Sequence, residues 1–255
     1  MGGANKTLVE IVYMHVLQQP EQLCVVDSVG TYTYLQFWEK IISVVTKLKS
    51  LSIESGDSVL VECTQDANYL ACDFACNLVG AIFVPIEHKA SADRINKICE
   101  EVQAVLFIHQ GDIGIECNKI SFFEVFEGAK QDNVEIVFPK MTSVAEILYT
   151  TGTTGKSKGI VISHLNNVAL AENIAFGTEM RERNVELIPL PISHSHGLRC
   201  CYANFYRGGC VVLTEGIAQI KRIYDLIIEY KVTAIDVSPT AMTYLMKLSR
   251  ETLIN

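Results

Sequence analysis

Short β-branched runs alternate with helix-length segments along nearly the whole of this chain. Runs such as "SVLVEC" (58–63), "AIFVPI" (81–86) and "AVLFI" (104–108) are each separated by an amphipathic stretch. The periodicity predicts helices over 8–17, 34–51, 66–79, 92–101, 164–177, 197–206 and 217–230, with a last one opening at Pro239. It predicts strands between them, ending with "VTAIDV" (232–237). The apolar face of the 217–230 helix is expected to be Ile217, Ile220, Ile223, Tyr224, Ile227 and Ile228. Strands joined by helices of this size favour βαβ units, so the expected class is α/β, with mostly parallel sheets covered by helices on both faces. The stretch 109–139 is less regular and reads as short strands and loops. It divides the chain into a first βα segment, 1–140, and a second, 141–255.

Composition narrows the function. At 255 residues and 49% hydrophobic the chain can bury a sizeable core. Its net charge is −8 and no Lys/Arg-rich run occurs, which excludes the basic field of a nucleic-acid binder. Anionic ligands must be held by local features. Nine cysteines include no C-x-x-C pair, which suits buried, reduced thiols in a cytoplasmic protein better than a metal site or disulfides. No signal peptide is read at the N-terminus. The most apolar stretch, 69–86, contains Asp73, Asn77, Gly80 and Pro85, and suits a buried helix and core strand better than a membrane span.

The segment "ILYTTGTTGKSKGIVIS" (147–163) carries two phosphate-binding patterns at once. A P-loop needs G-x-x-x-x-G-K-[ST] with a helix starting at the lysine. Here Thr150 stands at the first glycine position, and "GIVIS" after Lys158 suits a strand, not a helix. A P-loop NTPase is therefore disfavoured, and the segment reads as a hairpin loop. Its tip still suits an anion. Thr150, Thr151, Thr153 and Thr154 offer hydroxyls, Gly152 and Gly155 can turn N–H groups toward a phosphate, and Lys156 and Lys158 add charge.

"YTTGTTGKSKGIVISH" resembles the signature of the adenylate-forming (AMP-binding) enzymes: acid–CoA ligases, luciferases and nonribosomal adenylation domains. Tyr149, Gly152, Thr154, Gly155, Lys158, Gly159 and His164 match that pattern, and Ser157 stands where the family has proline. Four further segments are similar in the right order: "TYTYLQFWEKIISVVTKL…GDSVLVEC", "GAIFVPI", "PISHSHGL" with His194 at the family's histidine, and "YKVTAIDVSPTAMTYL". The resemblance covers most of the chain and is closest to the acid–CoA ligase type.

That resemblance implies a chemistry. Attack of a carboxylate on the α-phosphate of ATP gives an acyl-AMP, whose acyl group then passes to a thiol, usually of CoA. It implies Mg²⁺ with the ATP. Thr150, Thr151, Gly152, Thr153, Thr154, Gly155 and Lys158 would hold the phosphates, and His194 would sit beside the reacting carboxylate. His194, His196, Ser238, Pro239 and Thr240 would line the acid pocket. Read without the resemblance, His194 is an ordinary packed histidine. His164 is assigned no chemistry. No residue of the chain is assigned to metal. The amino-acid-activating branch carries an Asp that pairs with the substrate ammonium; here that position is Ser195, which favours a plain acid, aryl or fatty. Asp236 is the residue that would support an amino-acid reading.

The chain also departs from the family. The later Tyr-Gly-x-Thr-Glu segment, the ribose-binding Asp, the hinge and the small C-terminal domain with its lysine have no counterpart in these residues. The expectation is the front half of a large domain, inactive alone, with an apolar face that favours self-association. A non-catalytic remnant that binds nucleotide or a partner is the alternative from another class.

Overall fold

The computed structural model of the chain describes residues 6–111, 114–127, 135–150 and 158–252, with side chains described as far as residue 247. Two sheets carry the fold. In the six-stranded sheet β3 (Ser58–Glu62) is central, flanked by β4 (Ile82–Ile86) and β5 (Leu106–His109). Beyond β5 lies β6 (Lys119–Ser121); beyond β4 lie β7 (Val144–Tyr149) and β8 (Gly159–Ser163). All neighbours are parallel except β7 and β8. The five-stranded sheet runs β11 (Ala234–Ile235), β9 (Val185–Ile188), β10 (Cys210–Leu213), β1 (Leu23–Val26) and β2 (Thr31–Thr33), parallel except for the β1–β2 pair.

Strand alternation explains the layering. Val59 and Val61 of β3 point into the main core, whereas Leu60 between them points to the opposite face. The main core also takes Val25 and Val211 of the other sheet, so the two sheets share it. Between them lie α1 (Leu8–Gln18), α2 (Tyr34–Ser50), α3 (Ala67–Val79) and α7 (Ser195–Arg207), with α6 (His164–Gly177) adding Val168 and Ala171. The outer faces are covered by α4 (Ala92–Val102), through Ile95 and Ile98, and by α8 (Ile220–Glu229), through Ile223 and Leu226. Helix, sheet, helix, sheet, helix is the resulting order, the expected α/β class.

Local signals set the helix ends. Thr33 and Gln36 form a capping box on α2, and Asp66 caps α3 through the Tyr69 N–H. Gly80 ends α3 with φ 81°, a left-handed value that glycine adopts without strain.

Several elements differ from the sequence expectation. The irregular stretch holds a short helix, α5 (Phe122–Phe126), closed by a Ser121–Glu124 capping box. The strand β2 has no counterpart in the sequence expectation, because three residues carry no period. The last strand is two residues, not six. On α8, Leu226 is buried and Ile228 is 75% exposed, so the apolar face is rotated from the expected one. The sheets also cross the 140/141 boundary: β7 and β8 join the sheet of β3–β6, while β1 and β2 join that of β9–β11. All nine cysteines are free and eight are buried.

The main core contains a polar knot. Asp73 on α3 accepts hydrogen bonds from the Tyr202 hydroxyl (2.7 Å) and from Asn77 Nδ2 (2.7 Å). Burial, reinforced by nearby Glu146, lifts its carboxyl from the ordinary value of 3.8 to about 8. The unfolded chain therefore releases this proton at lower pH than the folded one. Between about pH 4 and 8 the folded state binds more protons, so this contribution to stability falls as pH rises. Asp73→Asn is expected to remove that slope in urea melts at pH 5 and 8; an unchanged slope would contradict the assignment.

Candidate active site

The hairpin β7–β8 presents the Thr/Gly segment. The pairing runs from Val144 opposite Ser163 to Tyr149 opposite Gly159, and the Thr150 N–H then donates to the Lys158 carbonyl at 3.1 Å. The two ends of the loop are thus held together in backbone. Thr151, Gly152, Thr153, Thr154 and Gly155 lie outside the described residues, as do Lys156 and Ser157. Gly159 permits close strand packing: a Cβ there would sit 3.0 Å from Ile147 Cγ2. Ser163 ends the hairpin and caps α6 through a reciprocal pair with Asn166. His164 follows; burial pushes its imidazole down to about 4, so it stays neutral in the core.

The hairpin is tied to α7 by a buried ion pair. Arg199 Nη2 donates to Glu146 Oε1 of β7, and both side chains are nearly inaccessible. The same guanidinium lies over the Tyr202 ring at 4.9 Å.

At the start of α7, His194 occupies the N-cap position but makes no side-chain cap bond. Its ring is exposed and borders a cleft of about 580 Å³ with Ser193, Cys63, Gln65, His88 and Lys89. The cleft lies just past the C-terminal ends of β3, β4, β9 and β10, where open parallel sheets place their ligands. The segment leading to His194 is pinned at both faces by one amide. Gln65 Nε2 donates to the Leu190 carbonyl (2.8 Å), and its Oε1 accepts from the Ile192 N–H (3.0 Å). Gly197 completes the arrangement: a Cβ there would meet the Pro191 carbonyl at 2.6 Å, so only glycine lets α7 start this close to the loop. Gln65→Ala is expected to cost about 1–3 kcal/mol in chemical denaturation, because three partly buried backbone groups, the Leu190 and Thr214 carbonyls and the Ile192 N–H, lose their partner. Unchanged stability would show that the clamp carries nothing.

His196, the second residue of α7, does not line this cleft but pairs with Asp236. Its Nε2 lies 2.9 Å from Asp236 Oδ2, and the Cys200 thiol donates to the same oxygen at 2.9 Å. Ser238 caps the last helix, α9 (Pro239–Thr252), through the Ala241 N–H at 3.2 Å. Pro239 and Thr240 border a shallow, exposed hollow with Tyr244 and Lys247. The expected pocket residues therefore fall in three places: His194 on the cleft, His196 with Asp236, and Ser238–Thr240 at the start of α9. Gln65, Glu146 and Arg199 did not emerge from the sequence. Gln65 could have been found, since it lies just beyond the C-terminal end of a buried parallel strand.

The family profile described as AMP-binding enzyme matches residues 13–253. The chain belongs to the AMP-binding enzyme family. Among curated relatives, a 2-succinylbenzoate–CoA ligase of Bacillus cereus is 25% identical over 196 residues, covering 76% of this chain and 40% of the relative. A fatty acid–[acyl-carrier-protein] ligase, ScoC, of Streptomyces coeruleorubidus is 25% identical over 260 residues, covering 94% of the chain and 50% of the relative. The chain thus spans about 40–50% of the length of these AMP-binding relatives. In fold it matches the O-succinylbenzoate coenzyme A synthetase MenE of Bacillus subtilis, solved with AMP, with a TM-score of 0.84 at 23% identity over 93% of the chain and 63% of that structure. The N-terminal subdomain of Klebsiella oxytoca NpsA matches with a TM-score of 0.87 at 19% identity, over 98% of the chain and 66% of that structure. Among the described residues, no helix is long and apolar enough to cross a membrane.

Proposed function

We propose that this chain supplies the phosphate loop and the first wall of the acid site of an acid–thiol ligase. The observation that carries the reading is the family match over 13–253, combined with a hairpin whose base is closed at Thr150 and Lys158. Thr150–Lys158 would grip the β- and γ-phosphates of ATP, with Lys158 meeting the charge that develops as pyrophosphate departs. Mg²⁺ would arrive on the nucleotide. The carboxylate of the acid would approach His194, at the mouth of the cleft. His196, Ser238, Pro239 and Thr240 would face the remainder of the acid. Thioester formation with CoA follows by analogy with the CoA ligase relatives; a carrier-protein thiol is the variant that the ScoC relative brings in. The setting would be cytoplasmic.

The acid is proposed to lack an α-amino group. Ser195 carries no charge for an ammonium, and Asp236 is turned toward His196 Nε2 and the Cys200 thiol, which occupy its Oδ2. A buried ammonium facing such a site would lack its partner. The activity is assigned to this chain joined to the family's later segments; alone, residues 1–255 are proposed to form no acyl-AMP. Exposed Ile160 and Val161 on the edge strand β8 offer a route to self-association. The test is a pyrophosphate-release screen of the joined protein on plain acids and amino acids. Preference for plain acids supports the reading. Preference for amino acids, abolished by Asp236→Ala, would overturn it.

A further inference from the structure

We propose that His196, Cys200 and Asp236 form a binding site for a borderline-soft divalent cation of the zinc class. Their ligand atoms, one imidazole nitrogen, one sulfur and one carboxylate oxygen, all lie within 4.8 Å of one another. Helix spacing sets half of the site, because residues four apart on α7 share a face and stack one turn above the other. The strand β11 then delivers Asp236 against that face, with its Oδ2 at 2.9 Å from both His196 Nε2 and Cys200 Sγ. Bond lengths of about 2.0–2.3 Å around tetrahedral zinc put neighbouring ligand atoms roughly 3.3–3.6 Å apart. An ion needs the Asp236 oxygen to draw back by about half an ångström, a small rotation of a side chain that is 35% exposed.

The donor set decides the metal. Magnesium and calcium take oxygen ligands, whereas a mixed nitrogen, sulfur and oxygen set suits zinc and cobalt. This separates the site from the Mg²⁺ that accompanies ATP. The site is graded from wet to dry. His196 is 61% exposed on its side chain and opens to solvent, while Cys200 is buried beneath it. Asp236 also borders a cavity of about 850 Å³ shared with Glu186, a buried carboxylate held by Asn204 Nδ2 at 2.6 Å. The two carboxylates make the region attractive to a cation.

Burial, the bond to Asp236 and the charge of Glu186 push the Cys200 thiol up and keep it protonated. A divalent cation bonded to the sulfur offsets these influences by favouring the thiolate. On binding, sulfur, imidazole nitrogen and carboxylate oxygen each form a bond to the ion. The thiol proton leaves to solvent, and the His196 Nε2 proton that faces Asp236 is exchanged through solvent for one on Nδ1, so that the neutral ring offers Nε2 to the ion. Three protein ligands leave a fourth position for water or an added ligand, the pattern of exchangeable sites.

The test is titration of the intact chain with Co²⁺ alone, under a phosphine reductant. One equivalent should bind, with visible bands of tetrahedral cobalt and a near-ultraviolet thiolate-to-cobalt band, and Zn²⁺ should displace it. Cys200→Ser should abolish the thiolate band, and His196→Ala, at an exposed position, should weaken binding at least about tenfold. Because the chain holds eight other cysteines, Cys99→Ser serves as control and should leave the band intact. If Cys200→Ser does not fold, His196→Ala and Asp236→Asn decide. No stoichiometric binding, binding without the thiolate band, or a band that survives Cys200→Ser would each overturn the site.

Discussion

Lys158→Ala is expected to slow acyl-adenylate formation by about 2–4 kcal/mol of barrier, the loss seen when one preorganised donor to a developing charge is removed. The side chain is exposed beside the loop, and its backbone carbonyl, not its ammonium, accepts from the Thr150 N–H. The substitution keeps that backbone bond and the β7–β8 pairing. Stability should therefore be unchanged while kcat falls, with little change in KM for the acid, because the charge that Lys158 meets grows as pyrophosphate leaves. The measurement is acid-dependent ATP–pyrophosphate exchange by the chain joined to the family's later segments. An unchanged kcat would refute the role.

Arg199→Met is expected to cost about 3–5 kcal/mol of folding stability at neutral pH, the range for removing one partner of a buried pair. Glu146 is fully buried on β7, and Arg199 holds its charge from α7. Asp73, whose carboxyl burial lifts to about 8, is largely protonated at neutral pH and offers Glu146 no compensating positive charge. Burial already pushes the Glu146 carboxyl up, and losing Arg199 pushes it further. The penalty should therefore grow as pH rises, since the orphaned group must take a proton to stay buried. Glu146→Gln combined with Arg199→Met should recover much of the loss. A single variant as stable as the wild type would mean that the pair does not lock the hairpin to α7.

Much of the fold was legible because its strands are buried on both faces. β3 is buried at all five positions, and such strands read as continuous apolar runs between amphipathic helices. Caps such as Asp66 and Gly80 mark their own helix ends. Elements without a period were not legible: β2 has three residues and α5 five, and β11 was expected over six residues where it has two. The hairpin was readable because three β-branched residues follow Gly159, where a P-loop would need a helix. Contacts between distant segments were not. Glu146 and Arg199 are 53 residues apart, and Gln65 and Ile192 are 127 apart. Nothing local in sequence announces either pairing. The grouping of Cys200 with Asp236 was hidden for the same reason: one sits on a helix, the other just after a strand of the five-stranded sheet.

The loop between Thr150 and Lys158 is proposed to grip the phosphates of ATP. Titration of the isotopically labelled chain with Mg·ATP, read through backbone amide resonances, tests it most directly. Shifts are expected to centre on 150–159 and to extend to Ser193 and His194, with weaker affinity in Lys158→Ala. Shifts that cluster elsewhere, or an affinity that Lys158→Ala leaves unchanged, would contradict it.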